Sequence, residues 1–284
     1  MIKMNPTEQE QLYQKNLERI KAFRLLDDIF FNKCFEGSPE CIELVLRIVL
    51  EMPGLTVLEV HTQVFVENML NRSVRLDILA TDSAGARFNV EIQRSDAGAG
   101  QRRARFHSSM LDTHLLQKGE KFKDLPETYV IFITENDVIG YGKPLYRIER
   151  WIENIGVRFM DGAHILYVNG EYRGNDPVGK LMHDFSCANP SEMYYDILSD
   201  RVKYFKESKK GRDVMCKIIE EMYNEAKAQG ILEGKQEGWK EKEKELALHM
   251  LRAKKYPLNE IAELSGFTIS EIKELQTSEA QHIS

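Results

Sequence analysis

Residues 74–93 decide the fold of this chain: Val74-Arg75-Leu76-Asp77-Ile78-Leu79-Ala80-Thr81-Asp82-Ser83-Ala84-Gly85-Ala86-Arg87-Phe88-Asn89-Val90-Glu91-Ile92-Gln93. Val74, Leu76, Ile78 and Ala80 alternate with Arg75, Asp77, Leu79 and Thr81, the period of two expected of a half-buried strand. Phe88, Val90 and Ile92 alternate in the same way with Arg87, Asn89, Glu91 and Gln93. The polar junction Asp82-Ser83-Ala84-Gly85 suits a type I turn closed by a left-handed glycine, so the segment predicts a β-hairpin. Asp77 and Glu91 are expected as diagonal neighbours on one face of it, with Gln93 two residues further along. Two carboxylates converging beside an amide offer hard oxygen ligands of the kind that suit Mg²⁺ or Mn²⁺.

Outward from the hairpin, the flanking segments read as alternating helices and strands. Residues 8–26 form a polar, partly amphipathic helical stretch leading into a short packed helix, Asp27–Phe35. Pro39 opens a further helix that runs until Pro53-Gly54 stop it, and residues 55–66 read as extended. After the hairpin, Phe106, Met110, Leu111 and Leu115 recur at helical spacing, and Gly119 ends that helix. Tyr129-Val130-Ile131-Phe132-Ile133-Thr134 is a short continuous apolar run typical of a buried, often parallel, strand. Residues 157–160 and 164–168 suggest more strands, and beyond Asn175-Asp176-Pro177 the chain reads as helical almost throughout. This order implies an α/β fold with one mixed sheet.

At 284 residues and 42% hydrophobic, the chain can bury one good core plus an appendage. No apolar run is long enough to span a bilayer, and the N-terminus is too polar for a signal peptide. Cys34, Cys41, Cys187 and Cys216 show no metal-binding spacing and read as reduced thiols, so a cytoplasmic location with no membrane partner is expected. The net charge of −6 argues against a general nucleic-acid binder, yet Arg94, Arg102, Arg103 and Arg105 cluster just after the hairpin. A basic rim beside an acidic metal site is what phosphodiester chemistry needs; the alternative is a solvated helix face.

From about residue 207 the composition changes to Glu and Lys, with Gly230, Gly234 and Gly238 at four-residue spacing. Each glycine lowers helix propensity by about 1 kcal/mol, so the stripe reads either as a helix–helix contact in an oligomer or as a flexible joint, the latter preferred. Residues 257–272 suggest a helix-turn-helix pair around Gly266. Glu271 and Glu274 stand where a DNA-reading helix needs bases or amides, which favours packing or oligomerisation over DNA readout.

Several blocks in order carry a family resemblance: Asp27-Asp28-Ile29-Phe30, Arg75-Leu76-Asp77-Ile78, Asn89-Val90-Glu91-Ile92-Gln93-Arg94, Arg102-Arg103-Ala104-Arg105-Phe106-His107, Thr128–Asp137 and Gly179–Phe185. Together they resemble the Rpn-type, recombination-promoting nuclease/transposase family, within the PD-(D/E)XK nuclease superfamily in its D…ExQ form. The resemblance covers most of residues 25–225. It implies a restriction-endonuclease-like mixed sheet flanked by helices over residues 1–206, with a helical C-terminal extension over 207–284. It further implies a Mg²⁺-dependent DNA endonuclease, Mn²⁺ substituting, in which Asp77, Glu91 and the Ile92 carbonyl bind the metal.

Under that resemblance Gln93 takes the place lysine holds in the superfamily motif. Glutamine can orient water and hydrogen-bond a phosphate but adds no charge to the transition state. Asp28 is a candidate additional acid, or else a helix N-terminal acid. Arg94, Arg102 and Arg103 are candidate phosphate contacts. Arg75 reads as a phosphate contact or as a salt partner of Glu91. His107 reads as packed or surface-lying, and a homodimer through the C-terminal helices would suit double-strand cutting. The competing reading is a weakly active or inactive DNA-binding or oligomeric scaffold that keeps the fold.

Overall fold

The computed structural model describes residues 6–67, 72–116 and 118–283. In chain order the elements are α1 (Pro6–Ala22), α2 (Asp28–Phe35), α3 (Pro39–Leu50), β1 (Val57–Val66), β2 (Val74–Asp82), β3 (Arg87–Gln93) and α4 (Gln101–Leu115). They continue with β4 (Thr128–Thr134), β5 (Leu145–Ile148), β6 (Trp151–Ile152), β7 (Val157–Arg158) and β8 (Ala163–Asn169). The remainder is helical: α5 (Pro177–Ser186), α6 (Asp196–Glu207), α7 (Lys209–Ala253), α8 (Leu258–Ser265) and α9 (Ile269–Ile283).

Six strands form one mixed sheet in the order β1-β2-β3-β4-β8-β5. β1, β2 and β3 run antiparallel as a meander, β3 and β8 each pair parallel with β4, and β5 closes the far edge antiparallel to β8. The first hairpin closes as read, with Gly85 at φ 87° in the left-handed region where a side chain is disfavoured. A parallel neighbour requires a crossover, which α4 supplies between β3 and β4. Being central, β3 is buried on both faces from Phe88 to Ile92, its polar residues Asn89 and Glu91 included.

Ala104, Met110 and Leu111 of α4 pack on Leu76, Leu79, Val130, Phe132 and Tyr167 of the sheet. Phe31, Phe35 and Phe185 join α2 and α5 in a second apolar cluster, with ring centroids 4.5–6.2 Å apart. At roughly 25 cal/mol per Å², buried rings of this size dominate the local stability. The connection that carries Asp27 and Asp28 is tied down by Lys206, whose ammonium donates to the carbonyls of Lys21, Phe23 and Ala188. Burial lowers that ammonium to about 8. The result is the α/β fold expected, a mixed sheet flanked by helices, consistent with a restriction-endonuclease-like architecture.

The chain divides into two compact units, Met1–Cys216 and Lys217–Ser284. In the second, Ala247, Met250, Ile261, Ala262 and Ile272 form a small core, and Gly266 turns α8 into α9 at φ 76°. Glu271 accepts from the backbone N and side-chain hydroxyl of Thr268 at 2.7 Å, and Glu271 N donates back to that hydroxyl. The acid that spoils DNA readout is thus a capping-box residue. Gly230, Gly234 and Gly238 lie inside the continuous helix α7, which corrects the preferred reading of a joint. All four cysteines are free, and among the described residues no helix is long and apolar enough to cross a membrane.

Candidate metal-binding active site

β2 and β3 pair Ile78 with Val90, Leu79 with Asn89, Ala80 with Phe88 and Thr81 with Arg87. In that register Asp77 and Glu91 come next directly across from one another, not diagonally as expected. There the side chains replace the ladder: Asp77 Oδ2 accepts from Ile92 N at 3.0 Å, and Asp77 N donates to Glu91 Oε1 at 3.3 Å. The two acids satisfy the last amides of the strand pair and open its end.

A cleft of about 390 Å³ lies at that opening, lined by Asp28, Gln63, Arg75, Asp77, Gln93, Arg94 and Arg103 among others. Asp77 is 9% exposed and Glu91, set deeper, only 1%. Burial, then the Glu91 and Asp28 charges, push the Asp77 carboxyl up to about 8. Asp28 lies in the first turn of α2 with its side chain in the cleft, and Asn32 donates to its carboxylate. Its carboxyl is also raised, by burial and by Glu91, against the Asn32 bond and Arg75. Asp28 and Asp77 thus share the cleft, with Glu91 buried beside Asp77.

The arginines divide. Arg94 is committed, its guanidinium reaching Asp27 at 2.7 Å and Glu135 at 3.0 Å, while Arg24 grips the other Glu135 oxygen at 2.9 Å. Against burial, those two arginines hold the Glu135 carboxyl below its ordinary value. Arg75 and Arg102 are exposed, Arg75 on the cleft wall. The cation nearest Glu91 is Arg103, Nη2 to Oε2 3.9 Å, not Arg75.

Three residues that the sequence reading left out or set aside stand beside the acids. His107 is buried, with Nδ1 3.5 Å from Glu91 Oε1 and Nε2 accepting from Arg103 Nε at 3.3 Å. That bond places the neutral ring's proton on Nδ1, facing Glu91 and the Asn89 amide. Asn89 Nδ2 is set 3.4 Å from Nδ1 and its Oδ1 has no partner; with the amide turned, its oxygen accepts from Nδ1. Gln63 donates to Asp77 Oδ1 at 3.4 Å from across β1. The Arg103/His107 spacing of one helical turn was a readable signal for His107, whereas only the tertiary pairing reveals Gln63.

The comparison with protein families adds an independent line. Residues 52–170 match the family model of the PD-(D/E)XK nuclease family transposases. The match bears out the superfamily resemblance and contains Asp77, Glu91, Gln93 and every candidate arginine, while Asp28 lies outside it. Neither the search of curated proteins nor that of solved structures returns a match. A PD-(D/E)XK nuclease-family segment implies a DNA substrate, and such nucleases typically use divalent metals.

The donor set fits a hard cation. Every candidate ligand is an oxygen, and two carboxylates meet where the strand pair opens. Among the described residues no group of three or more His, Cys, Asp and Glu is arranged to hold a metal ion. A strongly hydrated ion such as Mg²⁺ asks for no such cage, since it is held by one or two carboxylates and keeps its waters. A zinc-like site built from several His and Cys ligands does not fit this cleft.

Proposed function

We propose that this chain is a divalent-metal-dependent DNA endonuclease of the recombination-promoting type, acting in the cytoplasm with Mg²⁺, or Mn²⁺ in its place. The observation that carries this reading is the Asp77/Glu91 pair at the open end of β2 and β3, Asp77 on the wall of an arginine-lined cleft and Glu91 buried beside it. A cation held by Asp77, Glu91 and the Ile92 carbonyl would polarise the scissile phosphate and acidify a bound water. Gln93 would orient the attacking water by hydrogen bonding, and Asp28 would supply a further acid at the cleft wall. Arg75, Arg102 and Arg103 would neutralise flanking phosphates. Arg94 would do so only by leaving Asp27 and Glu135. Dimerisation through the C-terminal helices would bring two such sites to opposite strands.

The test is cleavage of supercoiled plasmid with Mg²⁺, Mn²⁺, Ca²⁺ or EDTA, wild type beside Asp77→Asn. The asparagine keeps an acceptor for Ile92 N, so it removes charge without opening the strand end. Metal-dependent nicking or linearisation that disappears in the variant is the expected result. A folded wild type that shifts DNA on a gel without cutting it in any of these metals would instead support the scaffold reading.

A further inference from the structure

In the middle of edge strand β1, Gln63 adopts φ 55°, in the left-handed region, although it carries a Cβ. Side chains other than glycine, asparagine and aspartate are disfavoured there, and such strain persists where the surroundings hold it. The register explains what holds it. Thr62 pairs with Ile78 and Val64 with Leu76, so Gln63 lies across from Asp77. Its Nε2 donates to Asp77 Oδ1 at 3.4 Å, while Ile92 N holds Oδ2 at 3.0 Å. Each carboxylate oxygen thus has its own tether, one from β3 and one from β1, and both Gln63 and Asp77 line the cleft.

We infer that Gln63 is a positioning residue: its left-handed backbone aims the side-chain amide at Asp77 and fixes the orientation in which that carboxylate meets the cleft. An ordinary extended residue at position 63 would keep the strand regular and lose the tether. The purpose of the orientation rests on the proposed metal site; the tether itself does not.

The experiment compares full-length wild type, Gln63→Gly, Gln63→Leu and Asp77→Asn. Glycine relieves the backbone strain and drops the amide; leucine drops the amide and keeps the strain. Gln63→Gly is expected to melt about 2 °C higher without metal. Its Mn²⁺ binding, followed by calorimetry, is expected to weaken about tenfold, the scale of loss when a group supporting a metal ligand is removed. Gln63→Leu is expected to show the same weakening with no gain in melting temperature. In both variants the ¹³C-carboxyl resonance of Asp77, assigned through Asp77→Asn, should move in the metal-free protein. A merely structural strand residue would leave that resonance and the Mn²⁺ affinity unchanged, and either an unmoved resonance or wild-type affinity in both variants overturns the inference. Wild type that binds Mn²⁺ no better than Asp77→Asn would remove the metal reading, and the carboxyl resonance would then decide the tether alone.

Discussion

A methyl group placed on Gly98 would lie 2.0 Å from Gln93 Oε1 and 3.6 Å from Arg103 Nη1. Gly98 belongs to the short 3₁₀ turn Asp96–Ala99 between β3 and α4, and its φ is outside the left-handed region. Glycine stands there for space rather than for torsion. Gly98→Ala should therefore displace the Gln93 amide from its present place while leaving the backbone intact. DNA cleavage is expected to fall about tenfold with little change in melting temperature. In a Gln93→Ala background the same alanine should cost nothing more, a coupling that a double-mutant cycle reads directly.

Removing either of two neighbouring arginines should do different things. Arg94→Ala takes the guanidinium from Asp27 and leaves Glu135 with Arg24 alone, both side chains being only 16% and 26% exposed, so stability should fall by about 1 kcal/mol in denaturant melts. Arg102→Glu, on an exposed position of α4, should leave stability nearly unchanged. Its effect should appear as weaker DNA binding and a shallower dependence of log K on log salt. A normal salt slope in Arg102→Glu would exclude α4 from the phosphate track.

His164 lies between Glu127 at 2.7 Å and Glu149 at 2.9 Å, stacked on Tyr129. Against the lowering effect of burial, the two carboxylates raise its pKa above 6.5. A raised histidine contributes stability that is fully present below its unfolded value and is lost as pH rises through its folded value. The stability gap between wild type and His164→Gln should therefore be widest near pH 6, where the glutamates are ionised, and shrink as the pH climbs past the raised value. Parallel curves across that window would show that the ring is held without charge.

Within α7 a methyl group on Gly230, Gly234 or Gly238 would meet nothing within 4 Å. Alanine at each should add about 1 kcal/mol of helix stability, visible as stronger helical circular dichroism and a higher melting temperature. A second copy docked on that glycine face would reverse the outcome, since the methyls would then weaken self-association in sedimentation.

The legible parts of the fold were those written in local period and punctuation. The alternation of Val74–Ala80 and Phe88–Ile92, the Asp82–Gly85 turn and the apolar run before Thr134 each reappear as an element. Asp77, Glu91 and Gln93 were visible because a hairpin fixes which side chains are near one another. What the sequence concealed depends on distant partners. The tie of Arg94 to Asp27 and Glu135 spans 67 and 41 residues, and no local pattern announces it. The direct opposition of Asp77 and Glu91, in place of the expected diagonal, was set by the hairpin's register. The glycines of α7 misled because propensity weighs each residue alone, whereas a long helix tolerates a few weak positions between strong ones.

Asp77 and Glu91 do two jobs with the same oxygens. Asp77 lines the cleft with Glu91 buried beside it, and the two are also the fastening at the end of a strand pair, each engaged with a backbone amide across the gap. Anything that draws those oxygens outward, whether a cation, a proton or a competing donor, unfastens the amides of Asp77 and Ile92. Occupancy of the cleft is thereby written into the sheet as a change in how readily two named amide hydrogens trade with solvent. The protein carries its own built-in reporter, readable without substrate, label or turnover.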